Sequence, residues 1–200
     1  MAFERFTYVT RFDTFGTYTE YADLGADLKS DLKSAQAFIP LDITAVREIK
    51  AGSQVSDATR ILERVNGSTD KALRLTWAAG DSAEFQFPPT PWPPDLNAAA
   101  DVIVHLMMAR GGTTDDCDID VLAYENGAGA YAADTEMGGK TAALTAAANL
   151  VVEATVTLTA SNIGGHPGFL NLALLPDAHT TDAIYLYTAW LEYTRALRTS

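Results

Sequence analysis

This chain is short of the residues that most often mark a metal centre or an exported protein. Its 200 residues include one cysteine, Cys117, which excludes an intrachain disulfide and a cysteine-rich zinc site. The lone thiol fits a reducing compartment. Apolar residues never run uninterrupted for about 18 positions, so the sequence predicts no membrane-spanning helix and no membrane partner. The N-terminus lacks the charged-then-apolar layout of a signal peptide, and we expect no export signal.

Positive charge is also scarce. Lys and Arg number 14 against 26 Asp and Glu, which gives a net charge of -12 and a pI of about 4.5. Nucleic-acid backbones attract clusters of Lys and Arg, and the sequence contains no such run. These observations argue against nucleic acid as a partner, whereas a basic protein remains compatible with the charge.

What the chain does contain is β-strand sequence. The longest such run, 180–195, is dense in Tyr, Trp, Ile, Leu and Thr, which suit a pleated and half-buried surface. Strict alternation along it predicts one face with Ile184, Leu186, Thr188 and Trp190, and an opposite face with Tyr185, Tyr187, Ala189, Leu191 and Tyr193. Neither face is charged before Glu192, so we expect both faces to be covered.

Shorter strand-like runs precede it, separated by turn residues. A chain of this length suits one large β domain with an appendage or two small domains. About eight strands and no long amphipathic helix predict an all-β fold, a two-sheet antiparallel β-sandwich of jelly-roll type over 38–200. The predicted strands are Ile39–Ile49, Thr59–Val65, Ala72–Ala78, Ala83–Phe87, Asp101–Arg110, Ile119–Tyr124, Leu150–Thr159 and Gly168–Leu175, besides the final run.

Residues 1–37 differ from this β body and predict an extended, aromatic-rich N-terminal arm and linker. Rings this frequent favour burial. Two interpretations stay open: the arm packs on its own body, or it docks on a neighbouring subunit. The aromatic residues of the arm are Phe3, Phe6, Tyr8, Phe12, Phe15, Tyr18 and Tyr21.

A proline-rich segment, 88–94, holds five prolines in seven residues. Proline lacks the N–H that ladder pairing needs, so the segment is predicted to be extended and unpaired. Two interpretations again stay open: a stiff crossover between the two sheets, with Trp92 against the end of the domain, or a contact surface that includes Pro91 and Trp92.

Candidate metal and catalytic groups are few. The acidic run Asp115–Asp120 is the best calcium candidate, but it lacks the spacing of a calcium-binding loop, and we predict a solvated strand entry, no metal and no cofactor. His105 is predicted to be a satisfied core or inter-sheet histidine, and His166 and His179 to lie in turns. Flanking carboxylates are expected to raise the thiol pKa of Cys117, which argues against a nucleophile.

Catalysis finds no support in the motifs. No Gly-x-Ser-x-Gly elbow and no glycine-rich phosphate loop is present. Glu84 and Glu153 are a conceivable glycosidase pair, yet outward-facing Glu on a half-buried strand is ordinary. The sequence therefore predicts a protein that is not an enzyme, with a metal-dependent hydrolase as a distant alternative that would use Asp118.

Several segments together resemble small β-sandwich accessory proteins of tailed-bacteriophage heads, the decoration, cement and head-fibre proteins. The resemblance implies a non-enzymatic structural virion protein that binds the major capsid protein, forms a homo-oligomer (a trimer is favoured) and is assembled in the cytoplasm of the bacterial host. The segments that carry it are Ile39–Leu41, Ala72–Ala78, Phe87–Leu96, Val104–Met107 and Asp177–Arg195.

The alternative function is a carbohydrate- or receptor-binding β-sandwich module of a phage fibre or a secreted protein. In that case Trp92, Tyr131 and Tyr185 are the aromatic side chains expected to stack on sugar rings.

Overall fold

The computed structural model describes residues 36–50, 54–57, 62–66, 71–127 and 137–196. Within them, thirteen strands form two antiparallel sheets, and the only helical segments are single 3₁₀ turns, Ile43–Ala45 and Ala160–Asn162. The strands are β1 (Gln36–Leu41), β2 (Arg47–Lys50), β3 (Gln54–Asp57), β4 (Leu62–Asn66), β5 (Lys71–Trp77), β6 (Glu84–Gln86), β7 (Thr90–Pro91), β8 (Val102–Arg110), β9 (Ile119–Gly127), β10 (Gly139–Lys140), β11 (Val152–Leu158), β12 (Gly168–Pro176) and β13 (Ile184–Thr194).

The two sheets stack as a β-sandwich of jelly-roll type, which confirms the predicted fold class. Sheet A has the order β11-β8-β13-β5-β4, and β1 pairs with β13 beside β5. Sheet B has the order β10-β9-β12-β6-β2-β3, and β7 pairs with β12 beside β6. As predicted from its two apolar faces, β8 occupies a central position, between β11 and β13.

The core lies between the sheets and is built from alternating inward side chains. Phe85 and Phe87 are buried as predicted, and Trp77 stacks on Phe85 with ring centroids 4.5 Å apart. Residues of β11 alternate as expected, with Ala154, Val156 and Leu158 buried. Truncating a core side chain of this size to alanine costs about 2–5 kcal/mol, so this layer accounts for much of the stability of the sandwich.

The predicted strand Ile39–Ile49 is in fact two strands in different sheets. A 3₁₀ turn separates β1 in sheet A from β2 in sheet B. The Asp42 carboxylate accepts hydrogen bonds from the Thr44 amide (2.8 Å) and the Thr44 hydroxyl (2.6 Å). A side chain that satisfies its own backbone in this way favours a turn over a continued ladder, and the alternation pattern alone did not reveal it.

The proline-rich segment does connect sheet B to sheet A, but it is not wholly unpaired. β7 pairs with β12, Pro91 lies opposite Phe169, and the Trp92 amide donates to the carbonyl of Gly168 (2.9 Å). Trp92 is 1% exposed and belongs to the core. Proline at a short strand on a sheet edge loses no ladder bond that matters.

Candidate functional site

The outer surface of sheet A carries an unusual mixture of aromatic and charged side chains. β5, β8, β11 and β13 each place outward-pointing residues there, because side chains alternate across a strand. We call this surface the aromatic face, and it comprises Arg74, His105, Glu153, Tyr185, Tyr187, Trp190 and Glu192.

A β-bulge in β13 decides which residues of the last strand reach this face. The pairing of β13 with β8 shifts between Leu186 and Thr188. Ile184 and Leu186 are buried before the shift, and Ala189 and Leu191 are buried after it. The predicted strict alternation was therefore wrong from Thr188 onward, because the bulge adds one residue and reverses the facing of everything that follows.

One end of the face is a tyrosine pair held by an arginine. The guanidinium carbon of Arg74 lies 3.5 Å from the centre of the Tyr185 ring, a cation–π contact. The Arg74 Nη1 also donates to the hydroxyl of Tyr187 at 3.4 Å. Arg74 thus orients both rings, and all three side chains remain half-buried.

The other end is a histidine between two glutamates. His105 Nδ1 lies 2.5 Å from Glu153 Oε1, and its Nε2 lies 3.0 Å from Glu192 Oε2. The His105 ring stacks on Trp190 with centroids 4.9 Å apart and planes 6° from parallel. The three strands β11, β8 and β13 supply one member each of this network, which orients Trp190 and fixes both carboxylates.

His105 was predicted to be a core or inter-sheet histidine, and that prediction was wrong in placement. Its ring is satisfied, as expected, but on the outer face of sheet A, where its side chain is 11% exposed. The signal that could have located it is the set of polar residues in outward register: Thr155 and Trp190 lie directly opposite His105.

The face suits hydrogen-bonded ligands better than a metal ion. The two carboxylates approach different nitrogens of one ring, so they do not converge on a common point. Among the described residues no group of three His, Cys, Asp or Glu side chains has an arrangement that could hold a metal ion. Aromatic rings beside oriented carboxylates are instead the ingredients of a polar, ring-shaped ligand site.

A second polar network ties the loops together at one end of the sandwich. We call it the loop clamp; it comprises Arg110, Asp115, His179 and Asp182. Asp182 accepts from the amides of Thr114 (2.6 Å) and Asp115 (2.9 Å). Asp115 in turn accepts from the amides of Thr181 (2.6 Å) and Asp182 (2.8 Å).

A buried arginine completes the loop clamp. Arg110 is 7% exposed and donates to three backbone carbonyls, those of Ala146 (2.8 Å), Asp115 (3.0 Å) and Thr145 (3.1 Å). The amides of Asp182 and Thr181 hold the pKa of the Asp115 carboxyl below its usual value. Every side chain of the loop clamp hydrogen-bonds to backbone groups, so we interpret the clamp as structural.

The acidic run is therefore divided between two environments. Asp115 faces the loop clamp, whereas Asp118 lies beside Asp177, whose carboxylate contacts Lys140 Nζ at 2.5 Å. Burial, followed by the charge of Asp177, raises the pKa of Asp118, while Lys140 lowers the pKa of Asp177. The separation is the physical reason that the run does not act as one cluster.

Other candidate residues of the sequence fall in different places. Pro91 is exposed, whereas Trp92 is buried, so a surface contact through Trp92 is excluded. Tyr185 does lie on the aromatic face. Glu84 is in sheet B and Glu153 in sheet A, so they do not form a pair. The remaining candidates lie outside the described residues: Phe3, Phe6, Tyr8, Phe12, Phe15, Tyr18, Tyr21 and Tyr131.

The thiol pKa of Cys117 is raised, as predicted, but burial is the main cause and the flanking carboxylates are not. Cys117 is 1% exposed, and burial, followed by the charges of Asp182 and Asp115, raises the pKa of its thiol to about 11. Neutral thiols are poor nucleophiles. Trp190, His105 and Glu192, by contrast, were not predicted as site residues, because their shared surface depends on strand order and on the bulge.

Comparison with known proteins gives a fold but no family. No family model matches the chain, and no curated protein matches it. A solved structure of a xylan-binding module, CBM15, aligns with a TM-score of 0.50 at 11% identity, over 82% of this chain and all (100%) of that module. This likeness shows the β-sandwich fold.

Two further solved structures align less closely. The CBM22-1–GH10 modules of endo-1,4-β-D-xylanase 10B from Clostridium thermocellum give a TM-score of 0.45 at 11% identity, over 85% of this chain and 30% of that one. A glycosylation associate protein complex from Streptococcus agalactiae gives a TM-score of 0.47 at 14% identity, over 86% of this chain and 29% of that one.

Among the described residues, no helix has the length and apolar character needed to cross a bilayer.

Proposed function

We propose that the chain is a carbohydrate-binding β-sandwich module and that the aromatic face of sheet A is its binding surface. The observation that carries the proposal is the joining of three outward aromatic rings with oriented charged groups on one sheet. Tyr185, Tyr187 and Trp190 supply apolar ring surface, and Glu153, which is 48% exposed, supplies an oriented hydrogen-bond acceptor. Sugar rings present both kinds of surface, apolar faces and peripheral hydroxyls.

Charge favours an uncharged glycan. The chain has a net charge of -12, and two of the charged groups on the face are carboxylates. Arg74, the arginine of the face, is already engaged by Tyr185 and Tyr187. Recognition of carboxylated or sulfated sugars relies on Arg and Lys forks that are open to the ligand, whereas carboxylates accept well from neutral hydroxyls.

The proposal is tested by measuring binding of the purified chain to soluble polysaccharides. Xylan is the first probe, since the CBM15 module is named as xylan-binding, and laminarin, galactan and mannan follow. We expect at least one of these polysaccharides to retard the chain in native affinity gels. Trp190→Ala or Tyr185→Ala should each lower the affinity about tenfold or more, as the loss of a central aromatic contact does in other interfaces.

The matched control is Tyr124→Ala, which removes a 37% exposed tyrosine from β9 in the opposite sheet. Binding that survives Trp190→Ala and Tyr185→Ala but fails in Tyr124→Ala would move the site to sheet B. No retardation by any of the four polysaccharides would contradict the proposal.

The predicted resemblance to phage-head proteins, the capsid partner, the homo-oligomer and the virion location stay predictions. So does the expectation that the chain is not an enzyme. A glycan-binding face is compatible with a fibre module of a virion, so the two hypotheses do not exclude each other.

A further inference from the structure

We propose that Glu153 is the carboxylate with which the aromatic face holds its glycan, and that the protonation state of His105 sets its readiness to bind. This inference deepens the proposed function and rests on it. It assigns one residue as the ligand's acceptor and predicts the direction of the pH dependence.

The hydrogen-bonding rules of the three side chains fix the protonation state that the geometry requires. An ionised carboxylate only accepts, and a neutral imidazole has one N–H. His105 faces a carboxylate oxygen at each nitrogen, Glu153 at 2.5 Å and Glu192 at 3.0 Å. With both carboxyl groups ionised, both contacts are hydrogen bonds only when both ring nitrogens carry hydrogen.

The two carboxylates are not equivalent. The Glu153 side chain is 48% exposed, whereas that of Glu192 is 14% exposed. The contact between Oε1 of Glu153 and the His105 ring orients the whole carboxylate. The second carboxylate oxygen can then accept from a ligand hydroxyl. Glu192 is too enclosed for that role and serves to anchor the ring.

The surroundings of His105 leave these two acids as the groups that respond to it. From β11 it faces Glu153, with the uncharged Thr155 in register. From β13 it faces Glu192 and the uncharged Trp190. Its outward neighbours on β8, Ile103 and Met107, do not titrate.

Loss of the ring proton breaks the arrangement on one side. The remaining N–H stays with the more enclosed Glu192, because an unpaired carboxylate is costlier where water has less access. Nδ1 then presents a lone pair to Glu153, and the two acceptors repel each other. The Glu153 side chain then rotates into solvent, and ligand binding is weakened by the entropy lost when that side chain is ordered again.

Binding should therefore be strongest with the charged ring and weaken as rising pH removes the ring proton. By linkage, bound glycan also favours retention of the proton. Glutamine at position 153 accepts from an N–H or donates to a lone pair, so Glu153→Gln is expected to bind about tenfold more weakly at pH 5.5 and to lose the pH dependence.

The experiment has one arm without ligand and one with it. In the ligand-free arm, ¹⁵N and ¹³C NMR of the full chain follows the His105 ring and the Glu153 carboxyl from pH 4.5 to 8.5. We expect two protonated ring nitrogens at the acid end, and a Glu153 response at the same midpoint as the loss of the Nδ1 proton. Independent titration of the two groups would overturn the inference.

In the ligand arm, calorimetry with xylohexaose, laminarihexaose, galactohexaose and mannohexaose compares pH 5.5 with pH 8.0. We expect about tenfold tighter binding at pH 5.5, abolished in Glu153→Gln and kept in the control Glu84→Gln, which removes an acid from sheet B. Binding that is independent of pH would overturn this inference and leave the proposed function standing. Coupled NMR titration with no binding of any hexasaccharide would instead overturn the proposed function.

Discussion

His105 and His179 each lie between two oxygen acceptors, but in different parts of the molecule. His105 lies on the outer face of sheet A between two carboxylates. His179 lies in the loop clamp, 2% exposed, between the backbone carbonyls of Asp177 (2.7 Å) and Ala78 (3.0 Å). The rings are alike, and the partners differ.

The partners determine what each histidine can do. Backbone carbonyls cannot turn away, so a ring between two of them joins the β5–β6 turn to the β12–β13 loop. Carboxylates on flexible side chains can be oriented, released and offered to a ligand. A network whose side chains hydrogen-bond to the backbone therefore stabilises the fold. A similar network on an exposed sheet face instead presents polar groups to a ligand.

The largest difference is expected from removing one acid in each region. Asp182→Ala removes the buried carboxylate that accepts from the amides of Thr114 and Asp115, and we expect a loss of about 3–5 kcal/mol in the free energy of unfolding, since hydrogen bonds to a charged group are the stronger kind. Glu153→Ala on the face should cost less than about 1 kcal/mol, because that carboxylate is half exposed.

Urea unfolding followed by tryptophan fluorescence measures both. Asp182→Asn is the control: both amides donate to the same carboxylate oxygen, so an amide oxygen in its place can keep both bonds and should recover much of the loss. Equal losses for Asp182→Ala and Glu153→Ala would remove the distinction between a structural and a surface network.

The next effect separates the two histidines. His179→Ala removes the ring from the Asp177 carbonyl, leaves the Ala78 carbonyl with only the Asp81 amide as donor, and opens a small cavity in the loop clamp, and we expect a loss of about 2 kcal/mol. His105→Ala should cost half of that or less and should instead release Trp190. Thermal unfolding reports the first change, and a shift of the tryptophan emission of the folded protein reports the second. If His105→Ala is the more destabilising variant, the face is a structural element.

The smallest effect concerns Asp118 and its pH dependence. Burial and the charge of Asp177 raise the folded-state pKa of Asp118 above its ordinary value of 3.8. A raised carboxyl pKa means that the charged form is disfavoured in the fold, so this group adds stability as pH falls through its folded pKa and subtracts it near neutrality. Asp118→Asn should therefore stabilise slightly, by about 0.5 kcal/mol at pH 7, with the gain shrinking toward pH 4.

Asp177→Asn is expected to have the opposite effect. Lys140 lowers the pKa of the Asp177 carboxyl, so this group contributes to stability above its unfolded-state pKa, and the contribution is lost as pH falls through its folded-state pKa. Unfolding curves at several pH values between 3 and 7 compare the two. A loss of stability in Asp118→Asn at pH 7 would show that the charge of Asp118 has a favourable partner.

Several features of the molecule followed from local sequence because they depend on neighbours along the chain. The alternation in β11 and β6 placed Val156 and Phe85 inward, and the apolar faces of β8 indicated a central strand. The corner at Asp42 and the bulge near Tyr187 were missed, since one extra residue reverses a strand's facing without any strong change in composition.

The sequence by itself determined the class of fold and the apolar layer between the sheets, because hydrophobic period and turn residues act over a few positions. Only the tertiary structure decided the aromatic face. Glu153, His105 and Glu192 are separated by 48 and 87 positions across their contacts. They meet because β11, β8 and β13 are neighbours in sheet A, an order that pairing between distant strands sets and that no local pattern encodes.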